Sequence, residues 1–190
     1  MSVAAVRSPF AAILLTVAVG TAAAQPPGAT DLDGRPVTAI GHGGPTVLLF
    51  TAVECPISDR YAPEVRRLAT RFQADGVAVW LVYANAGETA AAARAHAAAF
   101  GYGLPVALDP AATLADRAGA QVTPEAAVFD SGGRLVYRGR IDDRYVDFGV
   151  DRRVPTTHEL ADAVAAVREG RAVATAVVPA VGCAIVRSRP

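Results

Sequence analysis

The sequence predicts an α/β domain built on a central mixed β-sheet flanked by helices. Three observations carry this expectation. Apolar, β-branched runs of strand length alternate with stretches whose apolar residues recur at helical spacing. Two strand-like runs, residues 125–130 and 134–138, are joined by Ser131, Gly132 and Gly133, the spacing of a hairpin, which adds an antiparallel pair to the sheet. Gly76, Gly119 and Gly170 each stand where a helical pattern runs out. The sequence shows no internal repeat and no second domain.

Taken in order, the chain begins with Arg7, an apolar run over residues 10–19, and a small-residue stretch ending at Ala24. This is the pattern of a secretory signal occupying residues 1–24. The apolar run is short for a bilayer span, and no cysteine stands at the cleavage site to carry a lipid. The expected location is therefore periplasmic or secreted, with no stable membrane anchor after cleavage. Residues 25–45, rich in Gly and Pro, read as an extended lead-in, with a short edge strand at 37–40. Residues 46–53 read as the first buried strand and 57–73 as the first helix, its apolar stripe formed by Tyr61, Val65, Leu68 and Phe72.

Residues 77–83 form a second buried run. A turn at 85–88 then opens an Ala-rich helix reaching Phe100, a composition of strong helix formers. A short strand follows at 106–108, and Asp109-Pro110 opens a helix over 111–118. After the hairpin comes a charged loop, 139–155. Thr156 and Glu159 then have capping-box spacing for a helix reaching about Glu169. Residues 46–170 thus make the domain, and 171–190 a tail with Cys183 and no clear periodicity.

The chemistry points to Cys55, at the seam of the first strand and helix. The first N–H groups of a helix lack intrahelical partners and its dipole is positive there, so a thiolate is stabilised and becomes nucleophilic near neutral pH. Glu54 opposes this by like charge, Arg60 offsets it, and Ser58 is placed to hydrogen-bond the sulfur. The competing reading is a cysteine simply buried as a small apolar residue.

The totals exclude several classes. Eighteen basic and eighteen acidic residues balance, and every basic residue is a scattered Arg, so nothing marks a nucleic-acid or anionic-membrane partner. Two cysteines outside the cytoplasm either pair with each other or remain separate thiols. Neither they nor His42, His96 and His158 share a metal-ligand spacing, so no metal and no cofactor is expected.

These residues resemble the thioredoxin-like superfamily, in particular its extracytoplasmic redoxins, the alkyl hydroperoxide reductase and thiol-specific antioxidant group. Phe50, Ala52 and Cys55 match the F-x-A-x-W-C strand end, Pro63 the helix proline, and Val122-Thr123-Pro124 the cis-proline loop. The resemblance covers about residues 46–170 and implies a thioredoxin-like fold with Pro124 and Thr123 beside Cys55, contacting substrate. It also implies that Arg140, in the loop after the last strand, is a candidate substrate-side residue, against the plainer reading of a salt bridge to Asp142 or Asp143. The departures are definite. Ser58 replaces the usual second cysteine, Glu54 the Trp and Leu49 the buried acid. Leu48 and Ala52 replace the Pro and Thr that cradle a peroxide in peroxiredoxins. Copper-chaperone relatives carry a second cysteine where this chain has Asp59.

The function these features imply is extracytoplasmic thiol–disulfide oxidoreduction with Cys55 as nucleophile. Ser58 cannot resolve a mixed disulfide, so Cys183, whose Gly-Cys setting resembles a tail segment of this redoxin group, or an external thiol reductant must do so. The partners implied are protein thiols and disulfides. Three alternatives stay open: a weak thiol peroxidase acting through a sulfenic acid, a non-catalytic binding module, and a fixed disulfide tying down the tail.

Overall fold

The computed structural model describes residues 28–38, 40, 41 and 43–188, together with Met1. The segment read as a secretory signal, after Met1, and His42 lie outside the described residues. The elements run β1 (Thr46–Thr51), α1 (Pro56–Ala74), β2 (Ala78–Tyr83), α2 (Ala90–Ala99), β3 (Val106–Leu108), α3 (Thr113–Ala118), β4 (Val122–Thr123), β5 (Glu125–Phe129), β6 (Leu135–Gly139), β7 (Tyr145–Asp147), β8 (Val150–Asp151), α4 (Glu159–Arg168), β9 (Val177–Val178) and β10 (Cys183–Ala184). The main sheet is mixed, in the order β3-β2-β1-β5-β6-β9. β1 and β2 are parallel, as are β2 and β3, whereas β5 runs antiparallel to both β1 and β6.

β1 is central, and all six of its residues are buried. Alternation divides them between two cores. Val47 and Leu49 join the α1 and α4 side with Tyr61, Leu68, Phe72 and Leu160. Leu48 and Phe50 join the α3 side with Leu114, Ala115 and Ala118. Burying each of the large apolar side chains contributes about 1.5–3 kcal/mol. This layering is why α1 cannot shift along the sheet: its stripe from Tyr61 to Phe72 is packed against a fully buried strand. The end of β1 and the start of α1 are consequently fixed relative to each other.

The structure corrects several local expectations. Residues 37–40 form no strand among those described; instead Thr30 bridges Pro36 and Leu108. The third helix starts at Thr113, because Ala112 takes a left-handed turn (φ 56°) and the Asp109 carboxylate reaches over it to accept from Thr113, Leu114 and Ala115 N–H. No Thr156 capping box forms: His158 is the N-cap of α4, and Thr156 donates its N–H and hydroxyl to Asp143. The charged loop 139–155 contains the β7–β8 hairpin. The tail is ordered into two strands, β9 parallel to β6 and β10 antiparallel to β4.

Candidate functional site

Cys55 is the N-cap of α1, with extended backbone (φ −106°, ψ 100°) and Pro56 as the first helical residue. Proline suits that position, since its missing N–H would have had no intrahelical partner. The side chain makes no capping bond and is wholly buried. Its sulfur faces two groups. The Thr123 carbonyl lies at 3.0 Å and accepts from the thiol, and Cys183 Sγ lies at 2.7 Å. The Thr123–Pro124 peptide is cis. The structure therefore brings together Cys55, Cys183, Thr123 and the cis-proline loop.

The tail reaches this point through an unusually close backbone approach. Cys183 is opposite Thr123 in the β10–β4 pair. A Cβ on the preceding Gly182 would lie 2.2 Å from the Thr123 carbonyl oxygen, closer than any side chain tolerates. Downstream, Ile185 is buried in the α3-side core and donates its N–H to Gln121 O at 2.9 Å. Val186 is fastened to the loop after β2, donating to Asn85 Oδ1 at 2.8 Å and accepting from Ala86 N–H at 2.7 Å. Arg187 reaches Asp116 and the Ala120 carbonyl.

The two thiols are electrostatically unlike. Burial works against the Cys55 thiolate, but hydrogen bonds from Cys183 and from the Ser58 and Thr123 side chains, with the Ser58 backbone, outweigh it and lower the pKa. The Thr123 carbonyl acts the other way, because it can only accept and so favours the thiol. Cys183 is pushed up to about 12, first by burial and then by its bond to Cys55 and the charge that sulfur carries. When one proton is shared, it belongs to Cys183. The Ser58 hydroxyl is buried with no conventional partner, yet stands near enough the Cys55 sulfur to favour the anion.

Most other expected participants are engaged with partners of their own. Arg140 is held by Glu159, with Nε at 2.9 Å, and by the Thr157 hydroxyl, not by Asp142 or Asp143. Both aspartates are already engaged: Asp142 by Tyr61 and Arg144 N–H, Asp143 by Thr156, Thr157 and Arg152. Arg60 is exposed and engaged with Tyr145 and Asp151, so it does not serve the thiol. Glu54 is exposed. His96 and Asp59 bond each other at 2.9 Å, with Tyr83 on the other ring nitrogen.

Two supporting carboxylates escape sequence reasoning. Glu125, buried next to the cis-proline, accepts from Gln121 and Val122 N–H at 2.7 and 3.2 Å and faces Arg138 at 3.8 Å. It holds the loop that presents Thr123. Glu88 accepts from Val53 N–H at 2.8 Å and Asn85 N–H at 3.1 Å, tying the loop before Cys55 to the loop that grips the tail. The available signal was a charged residue at the mouth of each buried run, which has to find N–H partners.

A helix-capping cysteine beside a cis-proline loop on this sheet defines a thioredoxin-like redoxin domain. The AhpC/TSA family model matches residues 20–138, and the chain belongs to that family. A hypothetical protein from Sinorhizobium meliloti 1021 is 27% identical, with a TM-score of 0.71 over 84% of this chain and 90% of that one. An uncharacterized conserved protein from Geobacillus kaustophilus is also 27% identical, with a TM-score of 0.73 over 88% and 90%. A secreted disulfide oxidoreductase from Mycobacterium tuberculosis shares the fold at 20% identity, with a TM-score of 0.51 over 73% and 94%. No curated protein matches the chain significantly.

Proposed function

We propose that this protein is an extracytoplasmic thiol–disulfide oxidoreductase in which Cys55 is the nucleophile and Cys183 its resolving partner. The observation that carries the reading is the 2.7 Å approach of the two sulfurs beside the cis-proline loop. The Cys55 thiolate attacks a partner's disulfide, R–S–S–R′, forming Cys55–S–S–R and releasing R′–S⁻. Cys183 then loses its proton, attacks the Cys55 sulfur and releases R–S⁻, leaving a Cys55–Cys183 disulfide. The partner gains two electrons and the protein loses two; the reverse sequence oxidises a dithiol. Ser58 and the helix N-terminus stabilise the Cys55 anion in both directions. The secretory pattern before residue 25 agrees with a compartment in which such a bridge persists.

Intact mass after thiol trapping tests the reading directly. Oxidised protein should take up no trap and weigh two hydrogens less than the reduced form. Cys55→Ser should abolish reduction of a protein disulfide, and Cys183→Ser should leave a trapped mixed disulfide on Cys55. Two freely alkylated thiols under oxidising conditions, or full activity in Cys55→Ser, would sink it. Peroxide consumption by the unaltered protein at a rate matching its disulfide turnover would favour the peroxidase alternative.

A further inference from the structure

We propose that a cleft beside Cys55 is a substrate subsite that takes a lysine or arginine side chain, borne by a polypeptide partner next to its reacting cysteine. The inference rests on the proposed reaction at Cys55 and adds which partners that reaction prefers.

The first argument is place. A cleft of about 360 Å³ is lined by Val53, Glu54, Ala86, Glu88, Ala92 and Val186, among others. Val53 and Glu54 directly precede the nucleophile, and Val186 follows Cys183 in the tail. The residue next to a partner's cysteine lies one Cα step, ~3.8 Å, from it, the same step that separates Glu54 from Cys55. A long side chain on that residue spans the rest. The cleft is also preformed. Val186 donates to Asn85 Oδ1 at 2.8 Å and accepts from Ala86 N–H at 2.7 Å, and Glu88 accepts from Val53 N–H at 2.8 Å.

The second argument is charge. The lining holds two carboxylates and no cation. Glu54 is exposed, and its carboxylate makes no hydrogen bond or ion pair among the described residues. Glu88 is half-buried, and burial pushes its carboxyl up despite the Val53 and Asn85 N–H groups it accepts from. A carboxylate accepts about four hydrogen bonds, so both keep open positions. The arginines of the neighbouring segments are committed: Arg94 to Asp33 at 3.0 Å, Arg187 to Asp116 at 3.1 Å, and Arg60 to Tyr145 and Asp151. The missing cation comes from outside the chain.

The third argument is the match of shape to chemistry. Lysine and arginine carry a cationic head on an aliphatic stem and cover apolar surface with that stem. Val53, Ala86, Ala92 and Val186 supply the apolar walls, and Glu54 and Glu88 the counter-charge. A neutral side chain would leave the carboxylates unpaired, and an acidic one would be repelled. The cleft therefore ranks partners by the residue beside their cysteine: basic first, neutral next, acidic last.

The experiment measures kcat/KM of the reduced full chain on symmetrical disulfides of the peptide Ala-Lys-Cys-Lys-Ala and of the same peptide with Gln or Glu in place of Lys. Each value is divided by the peptide's rate with dithiothreitol, which removes the effect of flanking charge on the sulfur itself. The Lys peptide should lead the Gln peptide by about 3- to 10-fold, with the Glu peptide slowest. Glu54→Lys should invert that order, and Ala92→Phe, which fills the cleft without altering its charge, should bring the ratio to about one. Independently of the chemistry, a Lys peptide with Ser in place of Cys should shift the amide resonances of Val53, Ala86 and Val186. Equal rates for the Lys and Gln peptides, or a preference that survives both variants, would overturn the inference and leave the Cys55–Cys183 couple standing. No turnover of any peptide would remove the proposed reaction, and the amide shifts would then decide alone whether the cleft binds the cation.

Discussion

The tail touches the body of the protein at two short strands that use the same backbone device for different ends. At β9, Val177 and Val178 run beside β6, and the glycine that permits the approach, Gly139, belongs to the body; a Cβ there would lie 2.1 Å from the Val178 carbonyl oxygen. At β10, Cys183 and Ala184 run beside β4, and the permitting glycine, Gly182, belongs to the tail. β9 extends the main sheet and covers the edge that β6 would otherwise expose. β10 extends nothing in the main sheet. It carries a thiol to Cys55. A missing side chain thus anchors the tail in one place and aims it in the other.

The comparison breaks most visibly at Gly182. A valine there cannot coexist with Thr123 at its present position, so residues 182–184 must leave the cis-proline loop. The Cys55–Cys183 bridge would then depend on a tethered, unaligned tail, and its equilibrium against a glutathione couple should fall by at least ~10²-fold. The measurement is the bridged fraction as the glutathione ratio is varied. The helix and sheet signals in circular dichroism should persist, because β10 supports neither core. A bridge as stable as wild type would mean that Gly182 does not govern the placement of Cys183.

Gly139→Ala sharpens the other side. The new Cβ meets the Val178 carbonyl, and the backbone at φ +155° disfavours a side chain. The β6–β9 pairing should be lost, lowering stability to denaturant by about 1–3 kcal/mol. The bridge equilibrium should change much less than in Gly182→Val, since Ile185 and Val186 still fasten the thiol's own segment. Equal damage to the bridge from both variants would show that the tail is one unit, not two.

The same contrast explains what could be read from the sequence. The β1–Cys55–α1 seam was legible because each part is local: a buried run, a cysteine, then apolar residues at helical spacing. The β5–β6 hairpin was legible from Ser131-Gly132-Gly133 between two runs. The tail strands were not, because two residues contain no period and their partners lie far away in the chain: Cys183 pairs with Thr123 and Val178 with Gly139. Thr156 and Glu159 had the right spacing for a cap, but the buried Asp143 needed donors and took Thr156 first. Arg140 misled for the same reason. Its expected partners were already committed, which leaves Glu159. Where tertiary demand competes with local spacing, the more deeply buried charged group sets the outcome.

The smallest expected effect concerns the sulfur at the other end of the bridge, and it separates placement from activation. With the tail's Cys183 reduced, Cys55 should alkylate with a half-maximal rate below the free-thiol pKa of about 8.5, because hydrogen bonds outweigh its burial. Alkylation requires the anion, so the rate rises through that lowered pKa and is flat above it. Ser58→Ala removes a hydroxyl that favours the anion, and the profile should move to higher pH, with the plateau rate and the bridged fraction little changed. Gly182→Val also removes the Cys183 contribution, yet it uncovers the sulfur, so its plateau should rise while its midpoint shifts upward. A Ser58→Ala profile that overlays the wild type would assign the acidity of Cys55 to the helix end and Cys183 alone. A shift in midpoint without a change in plateau identifies Ser58 as a group that tunes the anion and has no part in holding the tail.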